Sequence, residues 1–284
     1  MILVTGATGT IGRPLIGKLT AEGAAVRAVS RRPQDVSKFA GVEAVRGDRS
    51  RPETFTPLLD GVTALFLHPR ATGEAAAGLL ALAKERGVGR VVVLSAVNVD
   101  DDFSEQPSRF LGDRNKEVEQ AAIESGLDWV SLRSSTFAAN TLMTWAPQVR
   151  GGDVVRGPYA TFAEPLIHER DVAEVAAHAL LNTGLDGTKV RLTGPELLSH
   201  DDLASIIGQA IGRTIEYQEV PPEVYKQGLM QRGLPEPFLD ALLARYARGV
   251  GSAETVSGEV ERILGRPART YGDWAADYAD TFMN

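Results

Sequence analysis

Three glycines in the opening stretch Thr5-Gly6-Ala7-Thr8-Gly9-Thr10-Ile11-Gly12 have the spacing that most directly implies chemistry. An apolar run over residues 2–4 stops at Gly6, and an amphipathic segment begins at Ile11. That is the grammar of strand, tight turn and helix. Gly6 allows a sharp turn because no Cβ blocks positive φ. Gly9 lets a phosphate-bearing ligand approach the backbone, and Gly12 lets the helix pack closely on the strand. The free N–H groups of a helix start attract anions. The expected anion is the diphosphate of a dinucleotide, held by Gly6, Thr8, Gly9, Thr10, Ile11 and Gly12. The spacing G-x-x-G-x-x-G is one residue longer than the usual fingerprint, and an ordinary glycine turn is the bland alternative.

Further candidates stand where strands should end. The second strand closes on Ser30-Arg31-Arg32, where a protein selecting NAD would carry an acid for the ribose 2′-hydroxyl. Guanidinium pairs instead with a 2′-phosphate, so Arg31 and Arg32 favour NADP(H) over NAD(H). Asp48, after Gly47, is placed to accept from an adenine amino group or simply to cap a helix. Leu67 and His68 end the fourth strand and border the crevice. His68 is either an acid–base group or a lining residue. Ser95 ends the fifth strand and is placed to hydrogen-bond a substrate carbonyl. Lys116 lies on the following helix. At about 100° per residue it points roughly 160° away from Val118, so the pattern alone makes it a solvent-facing lysine. After the sixth strand, Phe137 is either core or a cover for a nicotinamide ring, and Asn140 is a backbone or ligand partner. Leu142, Met143 and Trp145 are apolar and outside any clear strand, as the wall of a hydrophobic substrate pocket would be. Tyr159 is a further pocket candidate, and Asp171 reads as a helix N-cap. No metal-ligand spacing and no serine-hydrolase elbow is present.

These residues need a frame. Strand-like runs fall at residues 2–5, 25–30, 43–46, 64–67, 90–95 and 129–133, with helical patterns near 11–22, 52–59, 73–86 and 110–125. The alternation predicts an α/β fold, a doubly wound parallel sheet of the Rossmann type. Ligands of such sheets sit at the carboxyl ends of the strands. Residues 134–165 hold no long periodic element. A helix is expected over 171–181, a strand over 188–193 that rejoins the sheet, a helix over 200–211, and a largely helical remainder. The domain reading is a nucleotide-binding domain over 1–150 and a smaller, mostly helical substrate-binding lobe over 151–284, lying over the nucleotide site.

Composition narrows the classes. The 284 residues carry a formal net charge of −7 and no cysteine. The acidic balance argues against a nucleic-acid surface, which needs a basic face. Without cysteine there is no disulfide, thiolate nucleophile or cysteine-ligated metal. The chain enters a strand at once, and no apolar run reaches the ~18 residues that span a bilayer, so a cytoplasmic protein with a small apolar substrate is expected. Oligomeric state is not readable.

On Gly6-Ala-Thr-Gly9-Thr-Ile-Gly12, Arg31, Gly47-Asp48, Lys116, Leu132-Arg133…Phe137…Asn140 and Leu192-Thr-Gly-Pro-Glu196, the chain resembles the NmrA-like branch of the atypical short-chain dehydrogenase/reductase superfamily. The resemblance spans almost the whole chain. It implies an NADP-binding core and a small substrate lobe, with Lys116 on the nicotinamide ribose and Ser95 and Phe137 near the ring. The superfamily's signature is Tyr-x-x-x-Lys, and here Gly112 takes the tyrosine position. Three activities fit: hydride transfer from NADPH to an apolar carbonyl, enone or quinone; NADP(H) binding without turnover by a redox-sensing regulator; or isomerase, epimerase or dehydratase chemistry with retained cofactor.

Overall fold

The computed structural model describes residues 1–36, 39, 41–47, 52–252 and 254–284. The chain divides into two compact units. The first comprises Met1–Asp100, Gly112–Ser134 and Glu169–Leu192; the second comprises Asp101–Leu111, Ser135–His168 and Thr193–Asn284. Residues 135–150 thus fall in the second unit and residues 169–192 in the first.

The first unit is built on β1 (Ile2–Val4), β2 (Val26–Ser30), β3 (Val42–Arg46), β4 (Ala64–Leu67), β5 (Arg90–Ala96), β6 (Asp128–Ser134) and a last strand, Thr188–Leu192. All pair in parallel, in the order β3-β2-β1-β4-β5-β6 followed by Thr188–Leu192. β1 sits between β2 and β4, so the glycine turn leaves the sheet where the strand order reverses. This is the α/β Rossmann arrangement the strand–helix alternation predicts.

Alternation along the strands makes two cores. Leu3, Leu65, Leu67, Val91 and Val93 point to one face and pack under Leu79, Leu80, Val118 and Ala122, which lie on helices Ala76–Glu85 and Asn115–Glu124. The other face takes α1 (Gly12–Ala21) and helix Glu169–Leu181, which pack on each other. Ala173, Ala176 and Ala177 are buried there, and such small residues let two helices approach closely.

Three expected helices differ in detail. Pro52–Leu59 forms a 3₁₀ helix with Pro57 inside it. Proline lacks the amide that a longer α-helix would use. The expected helix over 110–125 is broken into Pro107–Phe110 and Asn115–Glu124, with Gly112 at φ +96° between them. Asp171 is not the cap of its helix, which begins at Glu169; it lies buried in the first turn, where an acid complements the helix dipole.

The second unit is mostly helical. Its core joins Leu203 and Ile207 to Trp145, Tyr217, Trp274 and Phe282. A parallel pair, Val154–Gly157 with Glu216–Glu219, borders it. Helices His200–Ile211 and Tyr271–Asp277 each start with a reciprocal capping box, Ser199/Asp202 and Thr270/Asp273.

Candidate cofactor and active site

The end of β1 is clamped to the end of β4. Thr5 donates its amide and its hydroxyl to the Phe66 carbonyl, both at 3.0 Å. The same hydroxyl accepts from the His68 amide at 2.8 Å. Gly6 then turns at φ +65°, and a Cβ there would stand 2.8 Å from His68 Cβ. Gly9 N–H closes the turn by donating to Gly6 O at 2.9 Å. A Cβ on Gly12 would lie 2.2 Å from Gly6 O and 2.8 Å from Ala7 Cα. Gly12 is therefore required by the turn's own backbone, where strand packing was the expected reason. Among the described residues the amides of Thr10, Ile11 and Gly12 donate to no other group. No acid stands in the first turn of α1. Bare amides at an uncompensated positive helix end fit a dinucleotide diphosphate.

At the end of β2, the Arg32 amide donates to Ser30 Oγ at 3.0 Å, and the Arg32 guanidinium pairs with Asp35 at 3.1 Å. Arg31 is exposed and has no ion pair among the described residues. Asp48 lies outside the described residues. Leu67 is fully buried, so only its backbone can face a cofactor. His68 caps the short helix Pro69–Thr72, its Nδ1 accepting from the Arg70 amide at 3.2 Å. Burial pushes its pKa down to about 4, with the Asp113 carboxylate working against that shift and the Arg70 guanidinium adding to it. The ring is then neutral near pH 7, and an accepting Nδ1 assigns the proton to Nε2.

Ser95 and Lys116 meet one ionic network. Ser95 is 2% exposed, and its Oγ has no hydrogen-bond partner among the described residues. Glu119, itself buried, accepts from Arg133 Nε at 3.0 Å, Arg133 Nη2 at 2.5 Å and Ser131 Oγ at 2.5 Å. Burial works to raise the Glu119 pKa, yet the Arg133 and Ser131 hydrogen bonds hold it below the usual carboxylate value. Arg133 Nη1 also donates to Asp100 at 2.7 Å, and the other Asp100 oxygen pairs with Lys116. Gly112 precedes the helix that carries Lys116. A tyrosine there would meet a strained positive φ and would not share a helical face with the lysine.

The remaining candidates belong to the second unit. Phe137 is half-buried and bridges Ile167. Asn140 is exposed and opens helix Asn140–Thr144, its amide donating to Phe137 O at 3.0 Å. Met143 is 51% exposed. Trp145, expected in a pocket wall, is instead a core residue, packed on His200 and Tyr217. Tyr159 is half-buried at φ +52°, and it alone among the described non-glycine residues has positive φ. Its neighbours fix it: Pro158 O accepts from Tyr217 at 2.9 Å, Ala160 N donates to Glu219 at 2.9 Å, and Phe162 N to Tyr159 O at 3.0 Å.

Sequence reasoning missed Asp100 and Glu119. The available signal was the polar pair Ser131 and Arg133, two apart on a strand and so on one side of it, which demands a partner on the covering helix.

Residues 6–183 match the family model described as NAD(P)H-binding. The chain is 35% identical over 285 residues to the (4-alkanoyl-5-oxo-2,5-dihydrofuran-3-yl)methyl phosphate reductase of Streptomyces griseus, covering 99% of each chain. It is 30% identical over 290 residues to the NAD(P)H azoreductase of Xenophilus azovorans, again with 99% of each covered. In fold it is similar to the NADPH-dependent quinone oxidoreductase QOR2 of Escherichia coli complexed with NADPH, with a TM-score of 0.82, 24% identity, and 98% of this chain and 99% of that one covered. The chain belongs to the NAD(P)H-binding family, in keeping with its resemblance to the NmrA-like branch, and is an NAD(P)H-dependent oxidoreductase.

Proposed function

We propose that this oxidoreductase reduces a small, apolar, electron-poor acceptor, an enone, carbonyl or quinone, and that it prefers NADPH to NADH. The observation that carries the cofactor reading is the bare-amide turn at Thr10–Gly12, together with Arg31 just after β2, which has no ion pair among the described residues. The amides take the diphosphate and Arg31 takes the 2′-phosphate. Arg32, occupied by Asp35, contributes less. Lys116 takes the nicotinamide ribose. Ser95, at the end of β5, is the candidate hydrogen-bond donor to the acceptor carbonyl. Phe137, Asn140, Met143 and Tyr159 are the candidates for contact with the acceptor.

The bound nicotinamide supplies hydride. The chain's part is to bind, orient and stabilise developing negative charge. The acceptor class is supported by the S. griseus relative, whose named substrate carries a 5-oxo-2,5-dihydrofuran, an unsaturated lactone. It is supported too by the azoreductase, since an azo group is also a polarisable double bond. The test is to mix purified protein and NADPH with a panel of quinones and unsaturated lactones and follow absorbance of the reduced nicotinamide. Acceptor-dependent oxidation is expected.

Absence of turnover with every quinone and unsaturated lactone would overturn this choice of acceptor.

A further inference from the structure

Lys116 should be a loose side chain. It lies in the first turn of helix Asn115–Glu124 with 40% of its side chain exposed. A lysine so placed keeps much of its rotamer freedom. Its ammonium nevertheless has a fixed partner in Asp100, at the end of the turn after β5.

That turn is itself held. Val97 N donates to Ser134 O at 3.0 Å, Val99 N donates to Ala96 O at 3.1 Å, and Val99 is buried. The second Asp100 oxygen is gripped by Arg133, which cannot swing because its Nε and Nη2 are both spent on Glu119. Glu119 is buried and further held by Ser131, with Lys189 Nζ 3.7 Å away. Charge alternates along the series Glu119, Arg133, Asp100, Lys116. The two inner members, Arg133 and Asp100, therefore each meet opposite charge on either side. An isolated exposed pair contributes too little to fix a lysine. The buried end of the series supplies the rigidity that the exposed end lacks.

We infer that Asp100, anchored by Arg133 and Glu119, is a positioning residue that aims the Lys116 ammonium for nucleotide binding. The inference rests on the reading that Lys116 holds the nicotinamide ribose. Asp100 touches no ligand; it acts by narrowing where the ammonium can be. Both NADPH and NADH carry that ribose, so both should feel the loss of Asp100 equally.

The experiment is a double-mutant cycle read by fluorescence titration of NADPH and NADH, with steady-state kinetics alongside. Asp100→Asn keeps shape and removes the charge; the site is exposed, so the variant should fold with an unchanged Tm. It should weaken both nucleotides by the same factor, about three- to tenfold, the scale expected for one charge-assisted contact partly lost to solvent. Lys116→Met should weaken both by more. In the Lys116→Met background, Asp100→Asn should have no further effect. Additive losses would overturn the inference, because Asp100 would then act without Lys116. Tighter binding by Asp100→Asn would overturn it too, since Asp100 would be sequestering the lysine. If Lys116→Met alone changes neither affinity nor turnover, the ribose reading itself falls and takes this inference with it.

Discussion

Replacing Arg31 by alanine should separate the two pyridine nucleotides. Arg31 and Arg32 stand side by side at the carboxyl end of β2, but Arg32 is engaged by Asp35 at 3.1 Å and its amide is held by Ser30. Arg31 is exposed, with no ion pair among the described residues. A hydrogen bond between charged partners contributes about 1.5–3 kcal/mol, and solvent around an exposed arginine favours the lower half of that range. At 1.4 kcal/mol per tenfold, Arg31→Ala should weaken NADPH by roughly 10- to 40-fold in low salt. NADH lacks the phosphate and should change less than about twofold. Arg32→Ala should cost NADPH only about threefold, because part of its charge is already answered by Asp35. The Arg31 effect should shrink as salt rises, since the Debye length falls to about 8 Å at physiological ionic strength. Fluorescence titration of each variant with both nucleotides, at low and physiological salt, measures all of this. Equal losses for NADPH and NADH, or a larger effect from Arg32 than from Arg31, would refute the assignment of the 2′-phosphate to Arg31.

Two further outcomes concern His68 and Tyr159. The folded pKa of His68 is about 4 against an ordinary 6.5, so the unfolded chain takes up a proton first as pH falls and stability drains away between those values. His68→Asn, whose side-chain oxygen can still accept from the Arg70 amide, should lose about 2 kcal/mol less than the parent between about pH 7.5 and pH 5; identical shifts in urea midpoint would contradict the buried neutral ring. Tyr159 holds a left-handed backbone that costs a non-glycine residue about 1–3 kcal/mol. Tyr159→Gly relieves this against a smaller entropic loss, so Tm should rise by a few degrees while affinity for the acceptor falls; a fall in Tm would show that the ring's packing outweighs the strain.

The sheet was legible because parallel strands buried on both faces read as short apolar runs, and each here is punctuated by glycine or a helix. The run over 64–67 became β4 residue for residue, and residues 200–211 became helix His200–Ile211. The glycine turn was legible because its spacing is dictated by close backbone approach. Ser95 was half legible: its position at a strand end says where its Cα lies but not that its side chain is buried, which depends on helix Asn115–Glu124 packing on β5. Trp145 misled for a similar reason. An apolar residue outside a strand fits a pocket wall and a core equally well until Leu203 and Tyr217 arrive from later in the chain. Lys116 was half legible: helical periodicity gave its exposure, but its ion pair with Asp100 depends on a turn no pattern announces.

The first unit is assembled from three separated stretches of chain, the last being Glu169–Leu192. On a ribosome this has a cost in time. When β6 emerges, the nascent sheet still has an open edge, and α1 still lacks the helix that covers it. Both are supplied only once Leu192 has left the exit tunnel. Throughout synthesis of the intervening segment an unpaired strand edge and an apolar helix face stand uncovered, the conditions that invite chaperone capture or aggregation. Truncation after β6 would make that transient state permanent.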